Sequence, residues 1–118
     1  MEEKDKWGLN WTIWIRDEFQ CRYCGFDGLA SLVSAHQMVV DHVRPRCRDG
    51  NDDSDNLVTA CNCCNLIKAE WDRSQYNPED FEHRPPSDIF QEAKSYIDRW
   101  YAKWNRGYEL MMGEARKH

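Results

Sequence analysis

The sequence lacks any run of 18 apolar residues, so it predicts no membrane-spanning helix and no membrane partner. Its first residues, Met1–Lys6, lack the basic segment and apolar stretch of a secretory signal. It also has no internal repeat and no low-complexity tract. We therefore expect a cytoplasmic protein, and a length of 118 residues predicts one domain with a short helical extension.

Positive charge is also scarce. Lysine and arginine total 16 against 21 acidic residues, which gives a net charge of −5. This balance argues against a protein that coats DNA regardless of sequence, because such a protein must neutralise phosphates. Nucleic-acid binding is still permitted if bound cations supply positive charge at the contact.

What the sequence does have is two cysteine pairs at metal-binding spacing, Cys21-x-x-Cys24 and Cys61-x-x-Cys64. Four thiolates from two such turns complete a tetrahedral zinc site, and a site with no open position is structural. Residues 25–60 separate the pairs, more than the ~15–20 residues of a simple zinc ribbon, so a further unit must be inserted there. Disulfides are the alternative, but a reducing cytoplasm favours zinc.

The second pair has an open register, because Cys61/Cys63 and Cys63/Cys64 are also available. Adjacent cysteines rarely bind one ion well, which favours Cys61 with Cys64. Cys63 and Cys47 are then spare thiols without an assigned role.

Hydrophobic spacing predicts the secondary structure. A helix is expected over 9–18, with one face formed by Trp7, Trp11, Trp14 and Ile15. Short strands are expected at 38–40 and 57–60, with a polar loop over 43–56 between them. A further helix should run from Cys63 or Cys64 to about Trp71, while 29–36 is ambiguous.

The C-terminal part predicts one longer helix, capped by Ser87, running to about Arg106 and ended by Gly107. Its apolar face has helical spacing: Ile89, Phe90, Ala93, Ile97, Trp100, Tyr101 and Trp104. We thus divide the chain into a flexible tail (1–8), a zinc-containing domain (9–76) and a helical extension (77–118).

Asp41-His42 follows the first predicted strand, and alone it is a weak signal, since most histidines are ordinary surface or core residues. Its context is Val39-Val-Asp-His-Val-Arg-Pro45, then Asn56-Leu57, then Cys61-Asn-Cys-Cys-Asn-Leu-Ile-Lys68. With Arg16-Asp17 and Cys21 through Gly25, this order closely resembles the HNH endonuclease family, especially its zinc-containing, McrA-like branch. The resemblance covers residues 16–68, nearly half the chain.

The resemblance implies an α+β fold, a small ββα-metal finger flanked by N-terminal and C-terminal helices. His42 matches the family's general base, and Asn56 matches the residue that braces the loop and orients the base. Asp41 and Asn65 match the ligands of a catalytic cation, with asparagine in place of the more common final histidine. Oxygen ligands favour Mg²⁺ or Mn²⁺.

The implied substrate is DNA, most simply duplex DNA, cleaved by water that an imidazole deprotonates near neutral pH. Lys68, Arg44 and Arg46 are candidates for phosphate contacts, although each could equally be a solvated charge. Two other functions stay open. One is a non-catalytic zinc ribbon that binds nucleic acid or protein, and the other is a junction resolvase that forms a homodimer through the 87–106 helix.

Overall fold

The computed structural model describes residues 8–75, 81 and 84–117, with only the backbone given for Leu9. The predicted tail, apart from Gly8, lies outside the described residues, and so does Trp7. In the described stretches, no helix combines the length and apolar character needed to cross a bilayer.

The described residues form helices and one two-stranded sheet, as the α+β prediction requires. In chain order the main elements are α1 (Gly8–Arg16), α2 (Leu32–His36), β1 (Met38–His42), β2 (Leu57–Cys61), α3 (Asn62–Ser74) and α4 (Pro86–Arg116). The ambiguous segment thus contains the short helix α2, whose first turn is capped by the Ser31 hydroxyl accepting from the Ser34 amide at 3.0 Å.

The sheet is an antiparallel hairpin in which Met38 pairs with Cys61 and His42 pairs with Leu57. β1 continues two residues beyond the predicted strand and therefore includes Asp41 and His42. Because successive side chains of a strand point to opposite faces, Asp41 is buried on one side while His42 is half-buried on the other.

All five residues of β2 are buried, because helices cover both faces of the hairpin. Ile13 from α1 and Trp71 from α3 are among the buried side chains. The predicted packing face of α1 was wrong in part: Trp14 is half-buried, but Trp11 is 38% and Ile15 is 58% exposed. The deeply buried residue of α1 is instead Ile13.

Helix α4 is longer than predicted, with 31 residues. It begins at Pro86, whose fixed backbone suits a first helical position, so Ser87 is not its cap. Gly107 does not end it, because a single glycine costs only about 1 kcal/mol in a helix and good helix formers follow. The predicted apolar face packs on the core through Ile89, Ala93 and Ile97.

Candidate active site and metal centre

The sulfur atoms of Cys21, Cys24, Cys61 and Cys64 lie within 4.8 Å of one another. Sγ of Cys24 and Sγ of Cys61 are 3.7 Å apart. A tetrahedral zinc ion with Zn–S bonds of about 2.3 Å would place its sulfur ligands about 3.8 Å apart, so this donor set fits zinc. The cluster uses the predicted register, and the remaining thiols, Cys47 and Cys63, are exposed.

Local backbone geometry forms each half of the cluster. The first turn closes where the Gly25 amide donates to the Cys21 carbonyl at 2.8 Å, and Gly25 has a φ of 81°, which glycine adopts without strain. In the second, Cys61 ends β2 and caps α3, with its sulfur accepting from the Cys64 amide at 3.4 Å. The Tyr101 hydroxyl of α4 lies 3.4 Å from the Cys64 sulfur.

Because these four thiols lie close together, their pKa values shift in different directions. Hydrogen bonding with Cys24 is the main cause that lowers the pKa of Cys21, whereas hydrogen bonding with Cys21 raises the pKa of Cys64. A bound dication would stabilise all four thiolates together, which is the usual way such a cluster is neutralised.

A buried polar cluster lies between β1 and α3. The Lys68 ammonium, which has no exposed surface, donates to both carboxylate oxygens of Asp72 at 3.1 and 3.0 Å. It also donates to the His42 carbonyl at 3.0 Å and lies 3.4 Å from Oδ2 of Asp41. The Tyr23 hydroxyl donates to the same Asp41 oxygen at 2.7 Å. Lys68 is therefore not placed to contact a phosphate, and that prediction was wrong.

Burial changes the proton affinity of both carboxylates in this cluster. It raises the pKa of Asp41 and raises the pKa of Asp72 to about 6, against the attraction of Lys68 in each case. The two carboxylates and one ammonium carry a net negative charge when all are ionised, which suits a site next to a bound cation.

His42 faces a different set of partners on the other side of β1. Its Nε2 lies 2.8 Å from Oδ1 of Asp52, and Arg46 contacts both groups at 3.1 Å. In the neutral ring, Nε2 either donates to Asp52 or accepts from Arg46, so the tautomer decides which contact is a hydrogen bond. The imidazole is half-buried and thus stays open to solvent.

Asn56 joins the two ends of the loop between the strands. Its side-chain oxygen accepts from the Arg44 amide at 2.8 Å, and its nitrogen donates to the carbonyls of Arg44 and Asn51 at 3.1 and 2.9 Å. Gly50 packs so closely on the Arg44 carbonyl that a Cβ would not fit. Asn56 thus braces the loop without itself facing solvent, since it is buried.

Asn65 is half-buried in the first turn of α3, directly after Cys64. It lies one turn before Lys68, on the helix side that contacts Asp41. A carboxylate and an amide oxygen are hard donors, so the chemistry of this pair suits Mg²⁺ or Mn²⁺. Of the two other arginine candidates, Arg46 is exposed, whereas the half-buried Arg44 donates to the Arg84 carbonyl.

Three neighbours of these residues were missed by the sequence interpretation: Tyr23, Asp52 and Asp72. Asp72 had a detectable signal, because it lies four residues after Lys68 on the same helix. Asp52 lies in the predicted polar loop over 43–56, and nothing in its local sequence indicates the contact with His42.

The sequence profile of the HNH endonuclease family matches residues 21–70. The matched segment contains both cysteine pairs, the hairpin and most of α3, so an HNH endonuclease domain is recognised over these residues. Comparison with curated proteins and with solved structures gave no match. The match to this domain indicates nuclease-type activity on nucleic acids.

Proposed function

We propose that this protein is a metal-dependent endonuclease that hydrolyses phosphodiester bonds of DNA, of the zinc-containing McrA-like kind. The observation that carries the proposal is the end of β1, where buried Asp41 and half-buried His42 lie on opposite faces of one strand. We assign the nuclease domain to 9–76 and the helical extension to 77–118.

His42 is the general base in this proposal. In the tautomer that acts as base, Nε2–H donates to Asp52, which Arg46 also contacts, and the unprotonated Nδ1 accepts a proton from water. Nδ1 is the ring nitrogen outside those contacts. Asn56 acts as a positioning residue, because its side chain fixes the loop that carries Arg46 and Asp52.

Asp41 and Asn65 would hold the catalytic cation, Mg²⁺ or Mn²⁺. When bound, such a cation stabilises negative charge on the phosphate and on the leaving oxygen. The Tyr23 hydroxyl and the Lys68 ammonium both contact Oδ2 of Asp41, so Oδ1 is available as a metal ligand.

Duplex DNA is the proposed substrate. A cleft of about 460 Å³ opens beside Val43 and Leu57 at the end of the hairpin, and Arg16 and Arg22 line it. Arg22 is half exposed despite its contact with Asp17, so it can reach a phosphate oxygen. Exposed Arg46, beside His42, is a further candidate for a phosphate contact.

The decisive experiment is cleavage of supercoiled plasmid after loosely bound metal has been removed and Mg²⁺ or Mn²⁺ has been added back. Wild type should nick the plasmid, and His42→Ala should lose at least about a hundredfold in rate, as removal of a general base does. His36→Ala, an exposed histidine at the end of α2, is the control and should match wild type. A wild type that binds DNA but never cuts it would instead support the non-catalytic zinc-ribbon function.

We further propose that the four cysteines bind one structural Zn²⁺, which suits a reducing cytoplasm. Metal analysis should give one zinc per chain for wild type and for Cys47→Ser, whose thiol is outside the cluster. Cys24→Ser should lower the zinc content. Zinc-free wild type, or a Cys47→Ser variant without zinc, would contradict this assignment.

A second candidate function is a dimeric, structure-specific resolvase. It is favoured by the exposed apolar side chains at the end of α4, among them Trp104, Tyr108 and Met111. Cleavage rates on a four-way junction and on linear duplexes of the same sequence separate the two candidates. A marked preference for the junction supports the resolvase, and equal rates support a general duplex endonuclease.

A further inference from the structure

Lys68 has surroundings that a helix-surface lysine does not have. Its ammonium is wholly buried, and burying an uncompensated charge costs several kcal/mol. Oxygen atoms of Asp72, His42 and Asp41 surround it at 3.0 to 3.4 Å. The charge is therefore retained inside the fold by a dedicated set of acceptors.

Two of these acceptors belong to the last two residues of β1. Lys68 reaches the side chain of Asp41 and the backbone carbonyl of His42, which are the proposed cation ligand and general base. The third acceptor, Asp72, lies one turn further along α3 and holds the ammonium from the helix side. The lysine thus ties the end of the strand to the helix that carries Asn65.

Tyr23 completes the arrangement from the first cysteine turn. Its hydroxyl donates to Oδ2 of Asp41 at 2.7 Å, and its ring stacks on Phe90 at a centroid distance of 5.0 Å. Tyr23 and Lys68 therefore act on the same carboxylate oxygen. With Oδ2 held by two donors, the rotation of the carboxylate is fixed and Oδ1 is the oxygen left for a cation.

We propose that Lys68 is a positioning residue that orients the Asp41 carboxylate so that Oδ1 is presented to the catalytic cation. The proposal rests on the proposed function, since it assigns Lys68 a role toward the cation site of that function. The Lys68 ammonium, which contacts both carboxylates, also reduces the repulsion between Asp41 and Asp72, so the carboxylates can stay close before a cation binds.

The test compares wild type with Lys68→Met, which has a similar length and no charge. Mn²⁺ binding is measured by electron paramagnetic resonance with zinc-loaded protein and no DNA, and kcat and KM are measured on plasmid. We expect Mn²⁺ affinity and kcat each to fall about tenfold or more, while KM for DNA stays within about twofold. Zinc content should equal that of wild type, because Lys68 does not contact the cysteines.

Lys94→Met is the matched control. Lys94 is a partly exposed lysine on α4 that pairs with Asp98 four residues later, as Lys68 pairs with Asp72. This variant should retain wild-type Mn²⁺ affinity and kcat.

Where Lys68→Met fails to fold with zinc, Lys68→Gln replaces it, because its amide can still donate to the His42 carbonyl. A zinc-loaded Lys68 variant with unchanged Mn²⁺ affinity overturns the proposal. So does failure of both variants to fold with zinc, since Lys68 is then a stability residue. A wild type that binds Mn²⁺ but does not cut DNA contradicts the proposed function alone, and weaker Mn²⁺ binding by Lys68→Met would still support the positioning role.

Discussion

Asp52 is an exposed carboxylate in the loop between β1 and β2, and it lies 2.8 Å from Nε2 of His42. The contact with His42 and the one with Arg46 lower the pKa of Asp52, so the carboxylate stays ionised over the range in which histidine titrates. An ionised partner restricts rotation of the imidazole and selects its protonated nitrogen.

Asp52→Asn should therefore lower kcat several-fold with little change in KM, because the ring loses its charged partner while the DNA contacts remain. Steady-state kinetics on plasmid measures both constants. Asp53→Asn, in the same exposed loop, is the matched control and should behave as wild type. Equal kcat values for the two variants would remove Asp52 from the site.

Asp17 shows how one residue connects α1 to β2. It follows α1 and accepts from the Arg16 guanidinium at 2.9 and 3.0 Å, and also from the Thr59 amide of β2 at 2.9 Å. Arg16 also donates to the Leu57 carbonyl at 2.6 Å. Although burial alone would raise it, the pKa of Asp17 falls below its ordinary value of 3.8 because of the hydrogen bonds from Arg16 and Thr59.

A carboxylate with a lowered pKa contributes stability that is present above its unfolded-state pKa and is lost as the pH falls through its folded-state pKa. The free energy of unfolding should thus decrease below about pH 4 in part through Asp17. Asp17→Asn should lose about 1.5–3 kcal/mol at pH 7 and show a smaller decrease in acid. Urea unfolding of both zinc-loaded proteins at pH 7 and pH 3.5 measures the difference, and parallel pH curves would contradict this role.

Helices and strands with clear local signals were predictable from sequence. Val39 and Val40 indicated β1, and the spacing of Cys61 and Cys64 indicated both the cluster and the start of α3. The site was less predictable, because Lys68 looks like a surface residue until Asp41 and Asp72 are brought around it. Such long-range contacts depend on packing that local propensity does not encode.

The same limit explains the errors in the terminal helices. The spacing of Trp11 and Ile15 suggested a packed face, but which side of α1 meets the hairpin depends on the position of β2. In α4, Gly107 suggested an end to the helix, although no turn or capping contact follows it there.

Helix α4 has an apolar surface that no other described residue covers. A groove of about 740 Å³ runs along the second half of α4, lined by side chains that include Trp100, Trp104, Tyr108 and Met111. It continues the stripe of Ile89, Ala93 and Ile97 that packs on the core. Exposed apolar surfaces of this kind often mark interfaces, and we propose a second copy of the chain as the partner.

Trp104→Ala should weaken self-association at least about tenfold, since a buried tryptophan at an interface typically contributes 2 kcal/mol or more. Sedimentation equilibrium over a range of concentrations measures the dissociation constant. Trp11→Ala removes a partly exposed tryptophan on α1 and is the control. A wild type that stays monomeric at about 100 µM, far above the Kd of a stable dimer, would contradict the proposal.

One cysteine pair precedes the loop between the strands and the other follows it, so a zinc ion bound by all four cysteines would join two halves of the chain. Cut between Arg48 and Asp49, the protein would give one peptide with Cys21 and Cys24 and another with Cys61 and Cys64. Each peptide alone lacks a complete ligand set, so the two peptides should need zinc in order to associate and fold. Mixed peptides should regain the helical circular dichroism of the intact protein when zinc is added and lose it with a chelator. A backbone break in the loop would then leave a two-peptide protein whose assembly is controlled by zinc.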